Sequence, residues 1–276
     1  MNGVIFSTFM VVFREALEAS LIIGIILTLL YRLNAKHYIS HVFAAVLAAL
    51  IVSYGLGLWL SSLTESVQGN ASPAIEGVIS LVACAVLTYM FFWMEKQARH
   101  LKSDIEIEIE TALSKQDYLA IVSLPFVSVL REGAETVLFL KAVSIQSGGS
   151  VSWTGGLSGC ALALALGVLL FIGGKRVPIR QLFRSTGLFI ILVAAGLLGY
   201  GIHELNEIGW IPSGVEHIYD INHILSDKEG IGSFLKALLG YNGNPSLTET
   251  VGYWSYLGVM IFMTFKPKGG TVVSRR

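Results

Sequence analysis

The sequence predicts an all-α integral membrane protein. Its expected form is seven transmembrane helices, an inverted 3+3 repeat plus one C-terminal helix, with the N-terminus outside and the C-terminus cytoplasmic. Three observations predict it. The 276 residues are 54% hydrophobic and only 14% charged, against roughly 25% charged in a soluble domain. Apolar runs long enough to cross about 30 Å of hydrocarbon recur along the chain. One charged pentad occurs twice inside such runs, as Arg14-Glu15-Ala16-Leu17-Glu18 and as Arg131-Glu132-Gly133-Ala134-Glu135.

The spans read at 4–31, 39–63, 73–94, 118–140, 153–172, 182–202 and 247–265. The last is the least apolar, because Thr248, Glu249 and Thr250 open it. The chain is then one polytopic domain. A first three-helix repeat covers 1–95, a second 118–205, an extracytoplasmic loop 206–246, and the seventh helix with a cytoplasmic tail 247–276. Tyr31, Trp59, Trp93 and Trp153, near span ends, read as interfacial anchors. Gly155, Gly159, Gly196 and Gly199, at small-x-x-x-small spacing, read as close helix packing. The start, Met1-Asn2-Gly3-Val4, lacks the basic region of a cleavable signal and is expected to be the mature end.

Orientation follows from where the basic residues fall. Alternate connections hold Arg32 and Lys36, then Lys96, Arg99, Lys102 and Lys115, then Lys175, Arg176, Arg180 and Arg184, and finally the tail with Lys266, Lys268, Arg275 and Arg276. The opposite side has only Lys141, Lys228 and Lys236. The first set is therefore cytoplasmic. Lysine and arginine balance aspartate and glutamate at 19 each, so nothing points to nucleic acid as a partner. Cys84 and Cys160 stand alone in separate apolar runs, which argues against a disulfide.

Charge at the centre of a membrane helix needs a reason. Insertion costs roughly 2.5–3.5 kcal/mol per Arg, Lys or Asp, so the six charges of the two pentads cost on the order of 15–20 kcal/mol. Each pentad begins a group of three spans. Three is odd, so the two groups enter the membrane from opposite sides and bring their pentads together near the midplane. Within a helix, Glu15 and Glu18 share a face, as do Glu132 and Glu135. Arg14 can reach Glu18 and Arg131 can reach Glu135, four residues on, while the other acid stays available. Four carboxylates and two guanidiniums sum to a formal −2. Oxygen-only ligands with surplus negative charge suit a hard cation. Salt bridges that merely pin helix packing would explain one copy better than two.

At these residues the chain resembles the oxidase-dependent iron permease family, and within it the bacterial permeases. The hallmark is an Arg-Glu-x-x-Glu pentad in the first and fourth of seven helices. The likeness also covers Glu76-Gly77, Phe92-Trp93-Met94, His203-Glu204 and the stretch from Phe234 to Gly240-Tyr241. The fillers Ala16-Leu17 and Gly133-Ala134 depart from the commoner Gly-Leu, but remain small or apolar. The resemblance implies that Glu15, Glu18, Glu132 and Glu135 are iron ligands supported by Arg14 and Arg131. It implies iron as transported substrate with no permanently bound cofactor, and a multi-pass protein of the bacterial cytoplasmic (inner) membrane. It also implies separate periplasmic partners that oxidise or deliver iron. A carrier of another cation (manganese, zinc, or a proton-coupled ion) would use the same carboxylates, and an intramembrane sensor or enzyme is the remaining alternative. No Walker sequence and no paired intramembrane histidines for haem are present.

Glu76, His203 and Glu204 fall at the extracytoplasmic ends of the third and sixth spans, where they could form an outer vestibule. His203-Glu204-Leu205-Asn206-Glu207 lacks the second histidine of a zinc protease motif. In the 206–246 loop, Glu216, His217, Asp220 and His223 lie in a helix-compatible stretch expected to form an interfacial amphipathic helix. Asp104-Ile105-Glu106-Ile107-Glu108-Ile109-Glu110 reads as a solvated helix or strand with one face on the membrane surface, rather than as a cation site.

Overall fold

The computed structural model describes residues 2–65, 72–97, 101–147, 151–172, 179–227 and 230–265, and every regular element among them is helical. The helices are α1 (Asn2–Arg32), α2 (Ile39–Glu65), α3 (Ser72–Gln97), α4 (Leu101–Ser114), α5 (Tyr118–Gln146), α6 (Trp153–Ile172), α7 (Ile179–Glu207), α8 (Gly230–Leu239) and α9 (Leu247–Phe265). A 3₁₀ turn, Lys36–Tyr38, leads into α2.

Four of these helices are long and apolar enough to cross a membrane by length and composition alone: α2, α3, α6 and α7. The physical reason α1 and α5 do not join them is the pentads. Every 18-residue window of either helix contains at least three charged residues. Their lengths are ample, since 31 and 29 residues rise by about 45 Å at 1.5 Å each. Helix α9 is diluted by Thr248, Glu249, Thr250, Ser255 and its tyrosines.

The outer surface is apolar. On α2, Leu47, Ile51 and Trp59 are each about 60% exposed, and on α6 Leu157 and Leu169 are similarly bare. In water such a surface would associate; against lipid it is the expected face of a multi-pass membrane protein.

Each principal helix pair joins one helix of the first group to one of the second: α1 with α6, α2 with α5, and α3 with α7, while α1 and α5 cross each other. Exchanging α1, α2, α3 for α5, α6, α7 maps this set of pairs onto itself. Glycines allow the closest approaches. A Cβ on Gly155 or Gly159 would lie 2.3 Å from the Ile5 carbonyl oxygen or 2.6 Å from that of Phe9, so α6 rides directly on the α1 backbone. Gly77 and Gly201 do the same for α3 and α7. Gly196 meets Gly240 of the loop before α9, whereas a Cβ on Gly199 would meet only the Tyr253 side chain, at 4.0 Å, so no close backbone approach depends on it.

The central core gathers Val11 of α1, Leu87 and Met90 of α3, Phe139 and Val143 of α5, and Val193 and Leu197 of α7. A second core joins Ile26 and Leu30 of α1 to Ile105 and Ile109 of α4. The acid–isoleucine alternation is thus a helix. Ile105 and Ile109, four apart, are buried while Ile107 and Glu108 are exposed. Left-handed Gln116 ends α4, and Asp117 then caps α5 by accepting from the Ala120 N–H at 3.1 Å.

The loop differs from expectation. Residues 208–227 form turns, so Glu216, His217, Asp220 and His223 share no helical face and are exposed. Gly209 and Gly214 adopt left-handed φ there, and Pro212 withholds a donor, which breaks the helix the acid and histidine spacing allowed. The amphipathic helix is α8 instead, with Phe234 against Phe6 of α1 at 6.1 Å between ring centres. Both thiols are free. The tail basic residues and Lys175 and Arg176 lie outside the described residues.

Candidate metal centre

The crossing of α1 and α5 puts the two pentads in one place. Glu15, Glu132 and Glu135 each direct a carboxylate oxygen into a cluster whose members all lie within 4.8 Å of one another. Oxygens on opposite sides of an ion that bonds at roughly 2.1 Å are about 4.2 Å apart, so the widest separation needs to close by about 0.6 Å at most. Glu15 and Glu132 are buried at 1% and 3% exposure.

The fourth acid is arranged differently. Glu18 is buried close by but lies outside that cluster, held by Arg14 Nη2 at 3.1 Å, while Arg14 Nη1 meets Glu15 Oε1 at 2.5 Å. In the other pentad, Arg131 Nε donates to Glu135 Oε1 at 2.8 Å, and its Nη2 stands 3.7 Å from Glu132 Oε1. Each arginine therefore occupies one oxygen of an acid and leaves the other. Oε2 of Glu15, of Glu132 and of Glu135 are buried without a hydrogen-bond partner among the described residues, and so is Glu18 Oε1, whose contact with Arg14 is an ion pair without hydrogen-bond geometry. Buried acceptors without donors are costly, and a cation held among these clustered acids would satisfy them.

The neighbouring helices explain the fillers. Gly133 faces Ser53 of α2, and a Cβ there would fall 2.1 Å from the Ser53 oxygen, so a small residue is required for α2 to pass. Ala16 packs with Phe13, Leu17 and Ala163, where α1 meets α6.

Three residues of α3 touch the pentad arginines, a role that position along the sequence alone does not show. Trp93, taken there as an interfacial anchor, lies under the Arg131 guanidinium, whose carbon is 3.8 Å from the ring centre. Met90 and Met94, on the same face of α3, place their sulfurs against Arg14. The signal was available in the spacing of 90, 93 and 94, which is one helical face pointing inward.

At the other end of the bundle, the structure brings Glu76 and Glu204 together through Tyr200. The Tyr200 hydroxyl donates to Glu76 Oε2 at 3.0 Å and is also within hydrogen-bonding reach of Glu204. His203 turns aside: its Nδ1 is 3.0 Å from Glu249 Oε1 and its Nε2 is 3.5 Å from Glu207. Glu249 also completes a capping box for α9, accepting from the Ser246 N–H at 3.1 Å while Ser246 Oγ accepts from the Glu249 N–H at 3.2 Å. A cavity of about 470 Å³ opens here, lined by Tyr200, His203, Glu204, Tyr241, Glu249 and Trp254. One turn along α7, Leu197 joins Val11, Leu87, Phe139 and Val193 around a void of about 10 Å³ that also touches Glu15. The larger cavity and the carboxylates are therefore separated by an apolar collar.

Comparison with known proteins bears on this arrangement. The chain is 33% identical over 273 residues to the Ferrous iron permease EfeU of Escherichia coli O6:H1, covering 98% of this chain and 99% of that protein. It is equally similar to the Shigella sonnei protein of that name, and 32% identical over 271 residues to that of Yersinia pestis, covering 98% and 96%. No solved structure matches it. The family model described as the iron permease FTR1 family matches residues 5–275, and the chain belongs to that family.

Proposed function

We propose that the chain carries ferrous ions across the bacterial cytoplasmic membrane through the site formed by Glu15, Glu132 and Glu135, with Glu18 as a fourth carboxylate. The observation that carries this reading is that Glu15, Glu132 and Glu135 bring carboxylate oxygens within 4.8 Å of one another where the pentads cross, and that each has a buried oxygen without a hydrogen-bond partner among the described residues. Iron comes from the family, and its ferrous state from the name given to the relatives. Four carboxylates and two guanidiniums, formally −2, are neutralised by one divalent ion.

Seven crossings are the natural arrangement for this role, with α1 and α5 inserted despite their charges because the charges face each other rather than lipid. The symmetric helix pairing supports an inverted repeat over 1–95 and 118–205, and the basic connections support a cytoplasmic C-terminus. Metal enters through the cavity beside Glu76, Tyr200 and Glu204, passes the apolar collar when the halves rearrange, exchanges water for carboxylates, and leaves on the Arg131 side. The 206–246 loop and α8 roof the entrance. Iron-delivering or iron-oxidising proteins of the periplasm supply the cargo. The relatives are permeases, and transport rather than catalysis is the role of the carboxylates.

Purified protein in liposomes tests this directly. Ferrous uptake is expected, and Glu132→Gln is expected to abolish it while the protein still inserts. Manganese or zinc flux with which iron does not compete would refute the iron reading, and absence of any metal flux would favour a sensor.

A further inference from the structure

Both pentad guanidiniums rest on one face of α3. Met90, Trp93 and Met94, spaced i, i+3 and i+4, share that face. Arg14 Nη1 lies 3.9 Å from Met90 Sδ, Arg14 Nη2 abuts Met94 Sδ, and the Arg131 guanidinium lies over the Trp93 ring at 3.8 Å. The repeat does not require this. Helix α3 brings Trp93 against Arg131 of α5, whereas the counterpart pair, α7 with α1, meets through apolar side chains such as Phe189 and Phe6, 5.9 Å between ring centres.

The two arginines also differ in freedom. The Arg14 side chain is 3% exposed and is fixed by its surroundings, while that of Arg131 is 33% exposed and has room to leave. A guanidinium carries its five N–H donors in the plane and none on its faces. Covering a face with an indole therefore leaves the donor edge as the only polar part, and here that edge meets Glu135 and Glu132.

We propose that Trp93, flanked by Met90 and Met94, is a positioning residue for transport. It holds the Arg131 edge on the carboxylates and so keeps their net charge low enough for a bound cation to be released. The inference rests on the carboxylate site proposed above. With the indole gone, the Arg131 edge is no longer held on the carboxylates, the cluster is left more negative, and the ion is held longer.

The test compares Trp93→Leu with Trp93→Phe. Both side chains are apolar and smaller than indole, so lost packing affects them alike, but only Phe keeps an aromatic face. Initial rates of ferrous uptake into liposomes, normalised to inserted protein, give KM and the maximal rate. The expected result for Trp93→Leu is a maximal rate about tenfold lower, equivalent to about 1.4 kcal/mol, with KM unchanged or lower. Trp93→Phe is expected to stay within about threefold of the parent, on the scale of a retained cation–π contact. Should the Leu variant fail to insert, Trp93→Met against Trp93→Tyr repeats the contrast. Parental kinetics for the aliphatic variant, equal impairment of both variants, or a raised KM at full maximal rate would overturn the role of Trp93. Glu132→Gln run alongside separates the two claims. Uptake by that variant removes the site itself, whereas its loss together with a normal Trp93→Leu removes only the positioning role.

Discussion

Arg14 Nη2 and Glu18 Oε1 lie 3.1 Å apart, one helical turn along α1, whereas Glu15, which Arg14 meets at 2.5 Å, is the α1 carboxylate that the crossing with α5 brings into the cluster with Glu132 and Glu135. The two acids of the first pentad are therefore unequal. Glu15→Gln is expected to abolish ferrous uptake. Glu18→Gln is expected to leave a residual rate reduced roughly tenfold, the scale on which groups that orient metal ligands act. Equal losses in a liposome flux assay would mean that Glu18 enters the coordination sphere during the cycle.

Tyr200 bridges two acids whose charges would otherwise face each other at the cavity mouth. Replacing it by phenylalanine removes the donor to Glu76 without changing the ring. The expected effect is a higher KM for iron, by about threefold to tenfold, the worth of one hydrogen bond to a charged group, with an unchanged maximal rate. A fall in maximal rate alone would place Tyr200 on the release side instead.

Helix α6 depends on having no side chain at Gly159, where a Cβ would lie 2.6 Å from the Phe9 carbonyl oxygen. Backbone cannot yield as a side chain can, so Gly159→Val is expected to cost at least about 1–3 kcal/mol and to lower the thermal midpoint in detergent. Gly258→Ala on α9 is the control, since nothing lies within 4 Å of its added Cβ. That variant should melt at or slightly above the parent temperature.

The capping box at Ser246 and Glu249 makes a separable stability prediction. Ser246→Ala is expected to cost about 1 kcal/mol and to leave ferrous KM within about twofold of the parent, because neither box residue touches the carboxylate cluster. A large change in KM with no change in melting temperature would assign the α9 terminus to the transport path.

Much of this was legible in the chain because hydrophobic run length and duplicated charge are strong, local signals. The seven runs read from the sequence fall within α1, α2, α3, α5, α6, α7 and α9, and the pentads do meet. What escaped was what depends on direction around a helix. Trp93 lies near the end of its run, and position alone made it an anchor; its facing toward Arg131 is a tertiary fact. Glu18 and Glu15 looked equivalent because both can reach Arg14, and only the crossing with α5 distinguishes them. His203 and Glu204 are adjacent in sequence yet point to different helices, since consecutive residues on a helix diverge by about 100°. The 208–227 turns were misread because acid and histidine spacing outweighed Gly209, Pro212 and Gly214, which end the helix there.

One ion is expected to bind among Glu15, Glu132 and Glu135. Diffraction from iron-soaked crystals at the iron absorption edge tests it most directly. An anomalous peak is expected within bonding distance of one oxygen from each of these three residues, lost in Glu132→Gln. A peak elsewhere in the bundle, or none in protein that transports iron, would contradict it.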